Sequence, residues 1–414
     1  MANNNDKKVL NVPALRFPEF TEEWKRIKVS DLLDFYSTNS LSWEQLVYES
    51  NEPYNLHYGL IHVGLPTIID LTKDKLPSIK DGNVPKKYEL CKEGDIAFAD
   101  ASEDTNEVAK VVEFYNLDSK KVVCGLHTIH GRNNNEQTAK GFLGYCFSSI
   151  VFHNQIRRIA QGTKIYSINT RNFSEVFVGL PSRSEQQKIA ILLRLIDERI
   201  TTQNKIIEKL ETLIKGIVDS IFTANKFPKV PFKEIYVRAG EGGTPATSNP
   251  EYYDNGTIPF IKIDDLQNKY IKTNKDCITE LGLQKSSAWI VPANSIIYSN
   301  GATIGAISIN LFPVCTKQGI LGVVPKADIN VEFLYYFMTS TAFTKAVERI
   351  VTEGTMRTAY LKDINHIPCP VPYPVKQDEI AKMLSTLSEK LENEVIFQMK
   401  LQKQKEFLLS QMFI

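Results

Sequence analysis

The chain has 414 residues, 43% hydrophobic and 23% charged, with a formal net charge of +1. This composition excludes disordered and collagen-like classes and leaves room for two or three domains. The near-neutral balance neither requires nor forbids a nucleic-acid partner, because a local basic patch can sit on a neutral whole.

In chain order, the opening MANNNDKKVLNV lacks the apolar core of a signal peptide, and no run approaches the roughly 18 apolar residues of a membrane span. A cytoplasmic location, bacterial or archaeal, is expected. The first globular region, residues 1–182, contains short apolar runs such as IAFA (96–99) and KVVEF (110–114), which suit strands. Six cysteines, Cys91, Cys124, Cys146, Cys277, Cys315 and Cys369, stand far apart without a CxxC pair or a histidine at finger spacing. His57, His62, His127 and His130 show no metal-ligand spacing either. Reduced buried thiols and no metal are expected.

Pro181 marks the boundary of a long helix over residues 183–223, with Ser184 as its expected N-cap. Ile189, Leu193, Ile196, Ile200, Gln203, Ile207, Leu210, Ile214, Ile217 and Ile221 then alternate steps of four and three, a heptad seam interrupted only by Gln203. The second globular region, residues 224–374, carries strand-like runs IPFIKI (258–263), SIIYS (295–299) and ILGVVP (320–325), and residues 329–350 space their aromatics as a helix does. A second long helix over residues 375–414 begins its seam with Ile380, Leu384, Leu387 and Leu391 and continues through Leu401 and Leu408, but Glu394, Gln398 and Lys405 interrupt it. A helix of about 38 residues is about 57 Å long and cannot bury its stripe alone.

The whole plan occurs twice. PSRSEQQKIAILLRLIDERI aligns without a gap to PYPVKQDEIAKMLSTLSEKL, pairing Pro181 with Pro372, Gln186 with Gln377, Ile189 with Ile380 and Leu193 with Leu384 at an offset of 191 residues. The same offset pairs Cys124 with Cys315 and FLGYCFSSIVF with FLYYFMTSTAF. The expected fold is therefore α+β: two similar mixed α/β bodies joined by two long helices. Connectivity favours an antiparallel coiled coil between those helices, with an internal pseudo-twofold duplication.

Chemistry is scarce. GEGGTPATSNPEYYDNGTIPF (240–260) has no Gly-Lys-Ser/Thr, and Pro245 removes an amide that a phosphate loop would use. Asn249 to Tyr252, Asn-Pro-Glu-Tyr, resembles the Asn-Pro-Pro-Tyr loop of DNA amino-methyltransferases, but Glu251 replaces the second proline and no glycine-rich cofactor turn precedes it. A self-contained DNA adenine methyltransferase built on Asn249–Tyr252 is kept as the alternative, and a coiled-coil assembly protein unrelated to DNA as a third reading. No catalytic residue is assigned.

The polar loops that precede each long helix offer instead the side chains that read base edges or hold phosphates. Lys164, Tyr166, Asn169 and Arg171 in the first half, and Asn300, Thr355, Arg357 and Tyr360 in the second, are the candidate DNA contacts.

Taken together, LRFPEFTEEWKRIKVSDLL, GGTPATSNPEYYDNGTIPFIKIDDL, the paired QGTKIYSI and EGTMRTAY, and SEQQKIAILLRLIDERI resemble the specificity subunit of Type I restriction-modification systems. The resemblance implies a noncatalytic DNA-binding subunit. Residues 1–182 and 224–374 would be its target-recognition domains, and 183–223 and 375–414 its conserved helical regions. Each recognition domain would read half of a bipartite, asymmetric double-stranded DNA site, with the coil as ruler. It implies no directly bound cofactor: S-adenosylmethionine would sit on two modification (methyltransferase) subunits, and ATP and Mg2+ would serve two restriction (translocase/nuclease) subunits. Lys376, Gln377 and Asp378 depart from the Glu-Gln pair that the family favours, and the first recognition domain around LHYGLIHVGLPTIIDL matches less well than the second.

Overall fold

The computed structural model describes residues 11–49, 52–135, 137–224, 227–301, 303–351 and 357–414. They divide into two compact units, Met1–Asn204 with Phe397–Ile414, and Lys205–Ile396. Each unit takes in part of both long helices.

The first unit is organised on a five-stranded sheet of β1 (Asp34–Tyr36), β2 (Ile68–Asp70), β3 (Ile96–Ala99), β4 (Val111–Asn116) and β5 (Thr128–Arg132), in the spatial order β1-β5-β3-β4-β2. The second unit has β6 (Tyr236–Glu241), β7 (Tyr270–Ile271), β8 (Ser295–Ser299), β9 (Ile307–Asn310) and β10 (Ile320–Pro325), in the order β6-β10-β8-β9-β7. The two orders are the same. So are the directions: three antiparallel pairings and then one parallel pairing at the β2 or β7 edge.

The strands β3, β8 and β10 carry near-continuous apolar runs because both faces of the sheet are covered there. In β3, Ile96 and Phe98 enter the core beneath the helices, while Ala97 and Ala99 enter a second core on the opposite face. In β8, Ile296 and Tyr298 take the helix side and Ile297 the other.

The helices covering the sheets repeat as well. The first unit has α1 (Phe142–Phe147) and α2 (Ile150–Ile159). They are followed by the 42-residue α3 (Arg183–Ala224), about 63 Å long at 1.5 Å per residue. The second unit has α4 (Val331–Thr339) and α5 (Thr341–Glu348), followed by the 38-residue α6 (Pro374–Gln411). The aromatic run over 329–350 thus forms two helices. Ser340 divides them, because its extended backbone ends α4 while its Oγ accepts from the Phe343 amide at 3.3 Å. Ser149 does the same for α2 through the Phe152 amide, also at 3.3 Å.

The N-cap of α3 is Ser182 and not Ser184. Ser182 Oγ accepts from the Glu185 amide at 3.4 Å and its carbonyl accepts from the Gln186 amide at 3.0 Å, which leaves Ser184 inside the first turn.

Within the first unit the start of α3 and the end of α6 share one core: Ile189, Leu193, Ile196, Leu408, Met412 and Phe413 are all buried. Asp197 pairs with Lys405 at 2.6 Å, and the Arg199 guanidinium lies 5.3 Å from the Phe397 ring centroid. One number rises as the other falls, so the two stretches run antiparallel. In the second unit, Val218 and Phe222 of α3 share a core with Ile380, Ala381 and Leu384 of α6, and Ile214, Ile217 and Ile221 pack against it. Of the remaining seam positions, Ile200, Ile207, Leu210, Leu387 and Leu391 are half-buried, while Leu401 and the interrupting Gln203 are buried. Among the described residues no helix is long and apolar enough to cross a membrane.

Candidate nucleic-acid interface

The candidate contacts of the first unit lie on one loop. Tyr166 belongs to the two-residue strand Tyr166–Ser167, which pairs antiparallel with Ala101–Ser102. Two residues before it Lys164 is exposed. Just after it Asn169 caps the short helix Thr170–Ser174, accepting from the Asn172 amide at 2.8 Å. Arg171 projects from that helix and is exposed. A cation, an aromatic ring and a second cation are therefore presented within eight residues on a backbone pinned by a strand pair and a cap.

In the second unit the assignments separate. Arg357 is exposed and lines a cavity of about 300 Å³ with Tyr298, Thr344 and Glu348. Tyr360 is 46% exposed, precedes the helix Leu361–Ile364, and its ring centroid lies 5.5 Å from Lys362 Nζ.

Asn300 is only 1% exposed, so no base edge reaches it where it stands. Its Nδ2 donates to the Ala359 carbonyl at 3.1 Å, and its own carbonyl accepts from the Ala359 amide at 2.9 Å. Asn300 holds the Arg357 to Tyr360 segment in place instead of presenting itself. Thr355 lies outside the described residues.

Other surface features come from residues far apart in sequence. Trp43, His57, Tyr58 and His127 form a row of ring contacts, tilted in the first two pairs and edge-on between Tyr58 and His127, with successive ring centroids 4.4, 4.7 and 5.3 Å apart. Burial and the neighbouring His127 hold the His57 pKa below its usual value, so it contributes as a neutral ring. Arg238 lies 4.1 Å from the Trp289 ring centroid, a cation on an aromatic face at the start of the second unit. The sequence signals for these pairs are single aromatic and basic residues, which spacing cannot connect.

The Asn249 to Tyr252 stretch does not form a base-binding loop. Asn249 Oδ1 accepts from the Glu251 amide at 3.1 Å and caps the turn Pro250–Tyr252, so its carboxamide oxygen is spent on its own backbone. Upstream, a Cβ on Gly242 would stand 1.9 Å from the Thr316 carbonyl oxygen. This glycine permits close approach of two backbones; it does not shape a phosphate cradle.

Two buried carboxylates brace the first unit. Glu113 accepts from the amides of Gly141 and Gly144, the latter at 2.8 Å, and burial pushes its pKa up to about 7 against those bonds. Asp95 is buried too, but hydrogen bonds from His130 at 2.7 Å and from Arg132 at 2.8 Å outweigh the burial and hold its carboxyl below the usual range. Cys91 and Cys124, 33 residues apart, come together beside His130. Sequence spacing had given no hint of that set, because its members arrive on separate strands and loops.

Known proteins share this arrangement. Over 164 residues the chain is 32% identical to the Type I restriction enzyme MjaIX specificity subunit of Methanocaldococcus jannaschii, a stretch covering 39% of this chain and 38% of that relative. The chain thus matches well under two thirds of that relative's length. The S subunit of a Type I restriction-modification system from M. genitalium shares the fold with a TM-score of 0.56 at 16% identity, over 97% of this chain and 99% of that one. A chain from a structure of type I R-M complex assembly and conformational transition gives a TM-score of 0.60 at 15% identity, over 94% and 97%. Residues 113–212 and 229–400, more than half of the chain, match the Type I restriction modification DNA specificity domain. With that match falling once on each of two units whose five-stranded sheets share one strand order, the chain belongs to the Type I restriction-modification specificity family.

Proposed function

We propose that the chain is the sequence-reading subunit of a Type I restriction-modification complex: a noncatalytic protein whose two units each bind half of a bipartite, asymmetric double-stranded DNA site. The observation that carries this is the duplication of one sheet order and one set of supporting bonds on two units whose exposed loops differ. A repeated scaffold with divergent loops suits two readers of related geometry and different sequence preference. The long helices, of which each unit holds a part, set the length of the unread gap. Two modification subunits carrying S-adenosylmethionine and two ATP- and Mg2+-dependent restriction subunits assemble on the chain and perform the chemistry, in the bacterial or archaeal cytoplasm.

The experiment is to express the chain with methyltransferase subunits and map methylated bases in genomic DNA. A two-part motif is expected, and deletion of one heptad from the middle of α3 together with one from α6 should change only its gap. A continuous motif, or a gap unchanged by the deletion, sinks the reading. Methyl transfer by the purified chain alone, abolished by Asn249→Ala, would favour the self-contained methyltransferase, which the local use of the Asn249 carboxamide speaks against.

A further inference from the structure

Apart from the candidate contacts, the first unit buries a polar cluster around Cys91, Cys124 and His130. Cys91 Sγ and Cys124 Sγ are 3.5 Å apart, and these sulfurs and a ring nitrogen of His130 all lie within 4.8 Å of one another. The three residues are 5%, 2% and 0% exposed. His130 Nε2 is bonded to Asp95 at 2.7 Å, and Asp95 is gripped on both oxygens by Arg132 at 2.8 Å. His130 Nδ1 is buried with no hydrogen-bond partner among the described residues.

A buried nitrogen left bare in this way costs about 1–3 kcal/mol, and here it sits beside two thiols. An imidazole held through one nitrogen by a carboxylate, with the other nitrogen bare, is the arrangement by which metal-bound histidines are oriented.

We propose that Cys91, Cys124 and His130 bind a Zn2+ ion that bridges the two sheets of the first unit. Two sulfurs at about 2.3 Å from a tetrahedral zinc stand about 3.8 Å apart, close to the separation present. A disulfide needs about 2.05 Å and would leave His130 without a role. Two thiolates and a neutral imidazole balance the dication, while Asp95 and Arg132 balance each other, so the loaded cluster carries no net buried charge.

The donors come from different layers. Cys124 ends the strand Val122–Cys124 in the four-stranded sheet, Cys91 follows Leu90, which bridges Val123, and His130 lies in β5 of the main sheet. A cavity of about 380 Å³, lined by Ser37, Asn39, Glu89 and Cys124 among others, reaches the cluster and gives a path for the ion and room for a water as fourth ligand. At the repeat offset the second unit has Cys315 and Leu321 in place of Cys124 and His130, so one ion per chain is expected.

The test is elemental analysis of the full-length chain after zinc loading and dialysis, with cobalt substitution as a second readout. Wild type should hold about one Zn2+ per chain and, with Co2+, show thiolate-to-cobalt charge-transfer bands. Cys91→Ser with Cys124→Ser should lose at least nine-tenths of the metal, while Cys146→Ser, a buried cysteine outside the cluster, should keep it. Asp95→Asn retains all three donors and should weaken zinc binding roughly 10–100-fold. A metal-free wild type after loading, a double-serine variant as loaded as wild type, an unchanged affinity in Asp95→Asn, or a Cys91–Cys124 disulfide found by intact mass in the loaded protein each overturns the assignment.

Discussion

Gln186 and Gln377 make the same three hydrogen bonds in the two units. Gln186 Oε1 accepts from the Ala139 amide at 2.7 Å, and its Nε2 donates to the carbonyls of Pro181 at 3.0 Å and Gln137 at 3.3 Å. Gln377 Oε1 accepts from the Asn330 amide at 2.9 Å, and its Nε2 donates to Pro372 at 2.9 Å and Asp328 at 3.2 Å. Each clamp binds the start of a long helix to the loop before the short helices, and both glutamines are buried. Gln186→Leu keeps the size but leaves a buried amide and two carbonyls without their partner. We expect a loss of about 2–4 kcal/mol, read by urea unfolding through Trp24 and Trp43 of the first unit; a loss below about 0.5 kcal/mol would show that the clamp is incidental.

Glu113 sets a pH dependence. Its pKa is about 7 when folded against 4.5 as the ordinary value, so the folded state holds the proton more tightly. The stability tied to that proton is present below pH 4.5 and is lost as pH rises through about 7. Between pH 5 and pH 8 the wild type should lose roughly 2.5 kcal/mol relative to Glu113→Gln. Parallel pH profiles for the two proteins would contradict this.

Helix burial is uneven, and truncations should follow it. Leu193 and Leu384 are both 0% exposed, so either change to alanine should cost about 2–5 kcal/mol. Ile207 is half-buried, and its change to alanine should cost less than about 1.5 kcal/mol. Thermal unfolding monitored through Trp24 for Leu193→Ala and through Trp289 for Leu384→Ala assigns each loss to its unit.

The candidate contacts separate into presenters and supports. Arg171→Ala and Arg357→Ala should weaken DNA protection by the assembled complex by about 1–3 kcal/mol each where the side chain reads a base, and Lys164→Ala should reduce the salt slope by about one unit where it holds a phosphate. Asn300→Ala should act differently: it should lower the stability of the second unit by about 1–3 kcal/mol, because it removes the Ala359 tie. Gel-shift titrations over a salt series, paired with unfolding curves, distinguish the two behaviours; a normally stable Asn300→Ala that binds DNA poorly would reverse its assignment.

How much was legible in the chain depended on whether the signal was periodic. The strands at 96–99, 295–299 and 320–325 and both long helices follow from runs and heptads that local sequence carries. The duplication follows from a constant offset. The cap at Ser182, the break at Ser340 and the burial of Asn300 were not legible. A serine two residues away, an aromatic run without a gap and an asparagine in a polar loop look the same whether or not a particular amide or carbonyl is within reach.

The repeated architecture is already legible along the chain, because hydrophobic period and turn chemistry act over a few residues and recur wherever the segment recurs. Which polar residues are presented and which are spent inside depends on the folded arrangement. It alone brought Cys91, Cys124 and His130 together, because hydrogen-bond and ligand geometry is set by strands adjacent in the sheets and distant along the chain.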